Sequence, residues 1–244
     1  MSISQKTYYA WQRAGYFWSV NWLKTLYFNF KKFPFSTAAK LPVMFFGRVR
    51  FQDIGGEIII NGPISKGMVG FGKRFEKFTR SNGTAEIAIE GRMIFNGPAL
   101  FGKDYLICVG KGATLEIGSR SGIGSRGKIV CLENIKLGDD VRISYECQVM
   151  DSNFHQMIDT LTGEKFPMNQ AVVIGNKNFV GNRTTILPGT KTPGFCTIAS
   201  NSVANKDYTS LGNNILIGGV PCKLLRQNIS RDWEGERNDG IWRG

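Results

Sequence analysis

Counting in sixes organises most of this chain. From Ile174 the sequence divides into IGNKNF, VGNRTT, ILPGTK, TPGFCT, IASNSV, ANKDYT, SLGNNI and LIGGVP. The first places are Ile174, Val180, Ile186, Thr192, Ile198, Ala204, Ser210 and Leu216, and five of these eight are Ile, Val or Leu. The fifth places Asn178, Thr184, Thr190, Cys196 and Ser202 are small, and the frame holds for all eight units. The same period runs upstream with two-residue slips, through Ile117, Ile123, Ile129 and Ile135, then Leu137, Ile143 and Val149. Earlier come Ile89, Phe95, Phe101 and Ile107, and before them Ile58 and Ile64. A period of six matches neither a helix, near 3.6, nor a half-buried strand, near 2. It predicts a parallel β-helix, in which each short strand offers one apolar side chain to a narrow interior and a small residue lets the corner turn.

The rhythm breaks once. "MDSNFHQMIDTLTGEKFPMNQ", residues 150–170, holds His155, the single histidine. A solenoid coil cannot absorb roughly twenty extra residues, so a loop at about 152–172 must leave the wall, and loops of that length usually carry function. An imidazole, with an ordinary pKa near 6.5, accepts a proton at neutral pH. Asp151 and Asn153 stand beside it. Either could orient the ring or hold a substrate, while an aspartate there also fits a turn-forming role.

Composition narrows the chemistry. At 244 residues the chain can bury one main core. Its five cysteines, Cys108, Cys131, Cys147, Cys196 and Cys222, are odd in number with no C-x-x-C, which reads as buried thiols in a reducing compartment. The N-terminus has no secretory pattern and the chain no apolar run of about twenty residues, so a cytoplasmic protein is expected. The net charge of +12 favours an anionic partner. The basic residues are scattered, however, and no zinc-finger spacing or RNP-like motif is present, so nucleic acid is not expected. "GIGSRG" (Gly122, Gly124, Gly127) satisfies G-x-G-x-x-G but lies within the hexads and opens no helix. No P-loop or G-x-S-x-G is found.

Over residues 47–222 the chain resembles the left-handed β-helix of the hexapeptide-repeat acyltransferases. The aromatic N-terminus and the sugar-type loop look more like the O-acetyltransferases of surface-polysaccharide assembly than the serine-acetylating branch. The left hand comes with the resemblance, since ordinary parallel crossovers are right-handed. "VMDSNFHQM" matches the family's pattern of an aliphatic position, an acid and a histidine. The resemblance therefore implies His155 as general base, Asp151 as its helper and Asn153 as an acceptor contact. "IASNSVANKDYTSLGNNILIGGVPCKLLRQ" looks like the family's closing segment. That implies Ala199 and Ser200 along a pantetheine slot, and Lys206, Lys223 and Arg226 on the phosphates of acetyl-CoA. Phe179 stands where the family often has tryptophan. A homotrimer is implied too, with a neighbour completing each site. The acceptor would be a small-molecule or lipid-linked sugar hydroxyl. N-acylation of an amino sugar and a non-catalytic, glycan-binding scaffold remain as alternatives. No metal is implied: the related γ-type carbonic anhydrases hold zinc through three histidines, and this chain has one.

The flanks differ from the repeat. Residues 1–46 are rich in aromatics, with Tyr16, Val20, Leu23 and Tyr27 at helical spacing before Pro34 and Pro42. They read either as a cap on the open end of the β-helix or as a peripheral membrane contact through residues 1–35. In the second reading Trp11, Trp18 and Trp22 lie near headgroups, and Lys24, Lys31 and Lys32 face anionic lipid. Residues 223–244 read as a short helix and a tail.

Overall fold

The computed structural model describes residues 15–73 and 83–238. The chain winds through three parallel sheets in turn, so that each sheet takes every third strand. The coils are built from β1 (Val43–Phe45), β2 (Arg48–Asp53) and β3 (Glu57–Ile60), then β4 (Val69–Phe71), β5 (Thr84–Ile89) and β6 (Arg92–Phe95). There follow β7 (Ala99–Phe101), β8 (Leu106–Val109) and β9 (Thr114–Ile117), then β10 (Ser121–Ile123), β11 (Lys128–Cys131) and β12 (Asn134–Leu137). The fifth coil holds β13 (Arg142–Ile143), β14 (Gln148–Met150) and β15 (Val172–Ile174). Beyond it lie β16 (Phe179–Val180), β17 (Thr185–Ile186), β18 (Cys196–Ile198), β19 (Val203–Ala204) and β20 (Ile215–Gly218). Residues Lys191 and Asp207 carry the third face on as single bridges. The fold is a left-handed parallel β-helix.

The interior is a set of ladders. Strand alternation turns every second side chain inward, and register stacks like positions: Phe45, Phe71, Phe101, Ile123, Ile143, Val180, Ile198 and Ile217 form one continuous column. At its N-terminal end the rings of Phe45, Phe71 and Phe101 lie nearly parallel, 5.2 and 4.5 Å apart, close to the roughly 4.8 Å between neighbouring strands. The upstream slips in the rhythm have a simple cause. Strands such as β12 turn two side chains inward, Ile135 and Leu137, where a short strand such as β16 turns only Val180 inward. A coil holding such a strand is therefore longer: Ile129 stacks on Val149 through a wider step in the chain than Val180 on Ile198.

One part of the frame fails. The eight-unit count runs through Ser210 and Leu216, yet Ser210 is exposed, while Ile215 and Ile217 are buried on either side of Leu216. The 3-10 turn at Thr209–Leu211 takes up one extra residue, so Thr197 lies beneath Leu216 and both face outward. The small fifth places hold: Asn178, Thr184, Thr190, Cys196 and Ser202 are all buried. Their polar side chains satisfy corner backbone, as where Thr190 Oγ1 donates to the carbonyls of Leu187 (2.7 Å) and Ala204 (2.9 Å).

Both ends are covered. Helix α1 (Trp22–Lys32) lies along β1, the edge of the first sheet, and meets its bare backbone with polar side chains. Asn29 Nδ2 donates to the Val43 carbonyl at 2.7 Å, Asn29 Oδ1 accepts from Val43 N–H, and Thr25 Oγ1 accepts from Phe45 N–H. A second helix, α2 (Phe35–Ala38), follows. At the other end the stretch expected to be helical from residue 223 is instead β21 (Lys223–Gln227), which folds back antiparallel on β20 and pairs its edge. The helix comes later, as α3 (Trp233–Asn238). The first coil also starts at Val43, inside the segment read as a flank. The departure from the wall lies between β14 and β15, at 151–171.

Candidate active site

The break in the rhythm is a hairpin arm standing on the corner between the second and third sheets. Its two backbone limbs pair from root to tip: Ser152 bridges Asn169, Asn153 N–H donates to Met168, Phe166 N–H to Met157 and Asp159 N–H to Glu164. At the tip Asp159 Oδ1 accepts from the N–H groups of Leu161 (2.8 Å) and Thr162 (2.9 Å), which closes the turn. His155 sits near the root of this arm, just after Phe154, whose φ is +59. It is exposed and makes no hydrogen bond within the described chain. Asn153 is exposed beside it.

Asp151 is placed differently. It is fully buried, and its two carboxylate oxygens accept from Leu132 N–H (2.7 Å) and Glu133 N–H (2.9 Å) in the coil below. Its carboxylate thus ties the arm's root to the wall and makes no hydrogen bond to His155. The arm also carries apolar side chains into solvent: Phe154, Met157, Ile158, Leu161, Phe166 and Met168 are all exposed, Leu161 at 95%.

The residues expected on the donor side fall on more than one edge. Ala199 and Ser200 turn the corner between the first and second sheets after β18. There Ala199 N–H donates to Ile217, Ala199 O accepts from Thr184 Oγ1 (3.1 Å), and Ser200 Oγ donates to Asn182 Oδ1 (2.7 Å). Gly181 in the coil below must stay glycine, since a Cβ would lie 2.5 Å from Ser200 N. Lys223 and Arg226 are exposed on β21, and Arg226 stands over Leu216, in the same outward row as Phe179 and Thr197. Lys206 is apart from them. It follows β19 on the corner that carries the arm, and its carbonyl accepts from Lys191 N–H while its ammonium lies 5.6 Å from the Tyr208 ring. Within one chain, then, His155 and Lys206 share one edge while Ala199, Ser200, Lys223, Arg226 and Phe179 share another side.

Nothing in the sequence pointed to what covers Phe179. The chain turns back after β21 and lays the Arg231 guanidinium 5.0 Å from the Phe179 ring and 4.8 Å from that of Trp233, with Glu236 holding its Nε at 2.9 Å. A run of R-D-W-x-x-E could have suggested a local ion pair, but not its seat.

Other chemistries find no support in the site. Burial pushes the Cys147 thiol up to about 11 and that of Cys196 up to about 12, which keeps both protonated at neutral pH. Among the described residues no group of three His, Cys, Asp or Glu side chains could hold a metal ion.

A hexapeptide-repeat β-helix with a histidine-bearing arm is the class that this geometry defines. No family model matches the chain. It is 28% identical over 116 residues to WbbJ of Escherichia coli (strain K12), provisionally described as a lipopolysaccharide biosynthesis O-acetyl transferase; the match covers 43% of this chain and 58% of WbbJ. The chain thus spans less than two thirds of that relative. In fold it is similar to the polySia specific acetyltransferase NeuO, with a TM-score of 0.53 and 20% identity over 81% of this chain and 83% of that one. The polysialic acid O-acetyltransferase OatWY gives a TM-score of 0.52 and 20% identity over 80% and 97%. The resemblance read from the repeat therefore stands: the chain is similar to hexapeptide-repeat acetyltransferases of polysaccharide biosynthesis.

Proposed function

We propose that the protein is an acetyl-CoA-dependent O-acetyltransferase acting on a hydroxyl of a sugar or polysaccharide precursor in the cytoplasm. One observation carries the reading: the interrupted coil presents its single histidine, exposed and without a partner among the described residues, at the root of an arm on a fold similar to sugar O-acetyltransferases. A sugar hydroxyl attacks a thioester poorly until a base takes its proton. His155 supplies that base, and its nitrogen is not engaged by any other side chain of the described chain. Asn153 contacts the acceptor. Asp151 fixes the arm's first residue and so the path along which the imidazole approaches. Lys223 and Arg226 receive the donor's phosphates beside the Ala199–Ser200 corner, and Lys206 does so from the edge that carries the arm. Phe179 reaches the donor only beside Arg231.

The placement of these groups on different edges supports a homotrimer in which one chain's arm meets its neighbour's donor side. The six exposed apolar side chains of the arm would then be covered. The test is release of CoA from acetyl-CoA in the presence of sugar acceptors, for the wild type and His155→Ala. Loss of a general base costs about 10²–10⁴-fold in rate and leaves donor binding intact. Turnover that survives His155→Ala within a few-fold sinks the assignment of the base. Absence of acetyl-CoA binding sinks the enzyme and leaves a scaffold. Product analysis on hydroxyl and amino sugars separates O- from N-transfer.

A further inference from the structure

Helix α1 is amphipathic the wrong way round. Its inward face carries Thr25 and Asn29, which bond the edge of β1, together with Phe28. At about 100° per residue the opposite face holds Leu23, Leu26, Tyr27 and Phe30, and all four are exposed, Leu23 at 84%. Trp18 and Phe35 extend this apolar surface before and after the helix, 81% and 77% exposed. Because Thr25 and Asn29 reach β1 along the direction in which strands stack, the apolar stripe points away from the end of the solenoid.

The charge around it is one-sided. Residues 15–52 contain six lysines and arginines and no aspartate or glutamate, in a chain of net charge +12. Lys24 and Lys31 flank the stripe along a groove of about 830 Å³ between α1 and β2. The groove is floored by the rings of Tyr27 and Phe51, 6.3 Å apart, with Lys24 Nζ 4.6 Å above Phe51. The one acid in the groove, Asp53, is turned to Gly55 N–H. Of the other residues expected at a membrane, Lys32 is turned inward to the Gly56 carbonyl, and Trp11 lies outside the described residues.

We infer that this end of the molecule seats on an anionic bilayer surface, with Leu23, Leu26, Tyr27 and Phe30 in the headgroup boundary and Lys24 and Lys31 on lipid phosphates. An apolar stripe edged by lysine is what an interfacial helix needs. A second copy of the chain fits poorly, because it would bring two predominantly basic ends together. Nucleic acid would leave Leu23 and Leu26 unmatched. Among the described residues no helix is long and apolar enough to cross a membrane, so the contact lies on the surface. Seating on lipid does not depend on acetyl transfer. Where both hold, the acceptor is a lipid-linked sugar.

The experiment is flotation of the full chain with vesicles of phosphatidylcholine alone, or of two parts phosphatidylcholine to one part phosphatidylglycerol. The wild type should float with the anionic vesicles, less so as salt rises, and hardly with the neutral ones. Lys24→Glu/Lys31→Glu should weaken binding by at least 25-fold, from about fivefold for each lysine removed. Leu23→Ser/Phe30→Ser should abolish flotation, with circular dichroism melts confirming that both variants fold. CoA release on a soluble acceptor should be unchanged in both, and His155→Ala should float like the wild type. Three results would overturn the inference: no flotation on any vesicle, variants that bind like the wild type, or a fall in oligomeric state in Leu23→Ser/Phe30→Ser, which would make the stripe a contact between copies.

Discussion

Replacing Asp151 separates a wall-building role from a catalytic one. The carboxylate is fully buried and accepts two backbone N–H groups, at 2.7 and 2.9 Å, from the coil below. Asp151→Ala takes the shared acceptor from both part-buried donors. Each such orphan costs about 1–3 kcal/mol, so the pair amounts to about 2–6 kcal/mol. Asp151→Asn keeps the shape and one acceptor oxygen but turns an NH₂ toward the second N–H, a loss of about 2 kcal/mol. In a domain of this size each kcal/mol lowers Tm by about 2–4 °C, which gives a drop of about 4–8 °C for the asparagine and more for the alanine. Solenoids unfold in part as well as whole, so hydrogen exchange gives the sharper assay: the Leu132 and Glu133 amides should lose protection in both variants. His155→Ala, at an exposed position without a partner among the described residues, should leave Tm unchanged. A variant Asp151→Ala with wild-type Tm and protected amides, but turnover down about 100-fold, would refute this account and put the carboxylate to work on His155.

Two further outcomes follow from the same bonds and charges. Asn29→Ala should cost about 2–4 kcal/mol, because the Val43 N–H and carbonyl lose their partner at the sheet edge, and limited proteolysis should then release residues N-terminal to Val43 first. Glu146 pairs Arg183 at 2.8 Å and Arg126 across three coils, and its hydrogen bond to Arg183 above all holds its carboxyl below the ordinary 4.5. A depressed carboxylate stabilises the fold above its ordinary pKa and ceases to as pH falls through the lower folded value. Glu146→Gln should therefore melt below the wild type at pH 7, and the two should converge as pH drops under 4.5.

The solenoid was legible because its period is unlike that of any other regular structure, and because each inward position is filled by one apolar residue. Its last frame was not. Ser210 and Leu216 keep the count in the letters while a 3-10 turn shifts it in space, and no composition rule marks that turn. The arm was visible only as an interruption. Its hairpin rests on backbone pairs such as Ser152 with Asn169 and Ile158 with Lys165, which follow no six-residue period. Helix α1 was half legible: Tyr16, Leu23 and Tyr27 share helical spacing with Val20, but only Val20 is buried, because bare β1 backbone draws Thr25 and Asn29 inward. KLLRQ reads as helix on propensity, and the unpaired edge of β20 overrides it. Of the candidate site, His155 was marked by its place in the break. The buried acceptor role of Asp151 and the seat of Arg231 depend on neighbours distant in the chain, Leu132 and Glu133 for the one and Phe179 for the other.

The candidate site is divided between edges, and that division constrains assembly. His155 and Lys206 lie on the corner between the second and third sheets, while Lys223, Arg226 and Phe179 lie on the outer face of the first. A three-sided wall separates the two groups with a packed interior, so one chain cannot bring them to a common substrate unless the arm bends around the prism. If a neighbour supplies the second half, then two inactive variants, His155→Ala and Lys223→Ala/Arg226→Ala, each retain the half that the other lacks. Unfolded and refolded together in equal amounts, they should assemble at random, and a site needs an intact arm from one chain and an intact donor side from the next. That combination occurs at about one interface in four in a closed ring, so the mixture should recover about a quarter of wild-type CoA release. Either variant refolded alone should remain inactive. A mixture as inactive as its parents would mean that both halves act from the same chain, and that the arm folds back over its own first sheet.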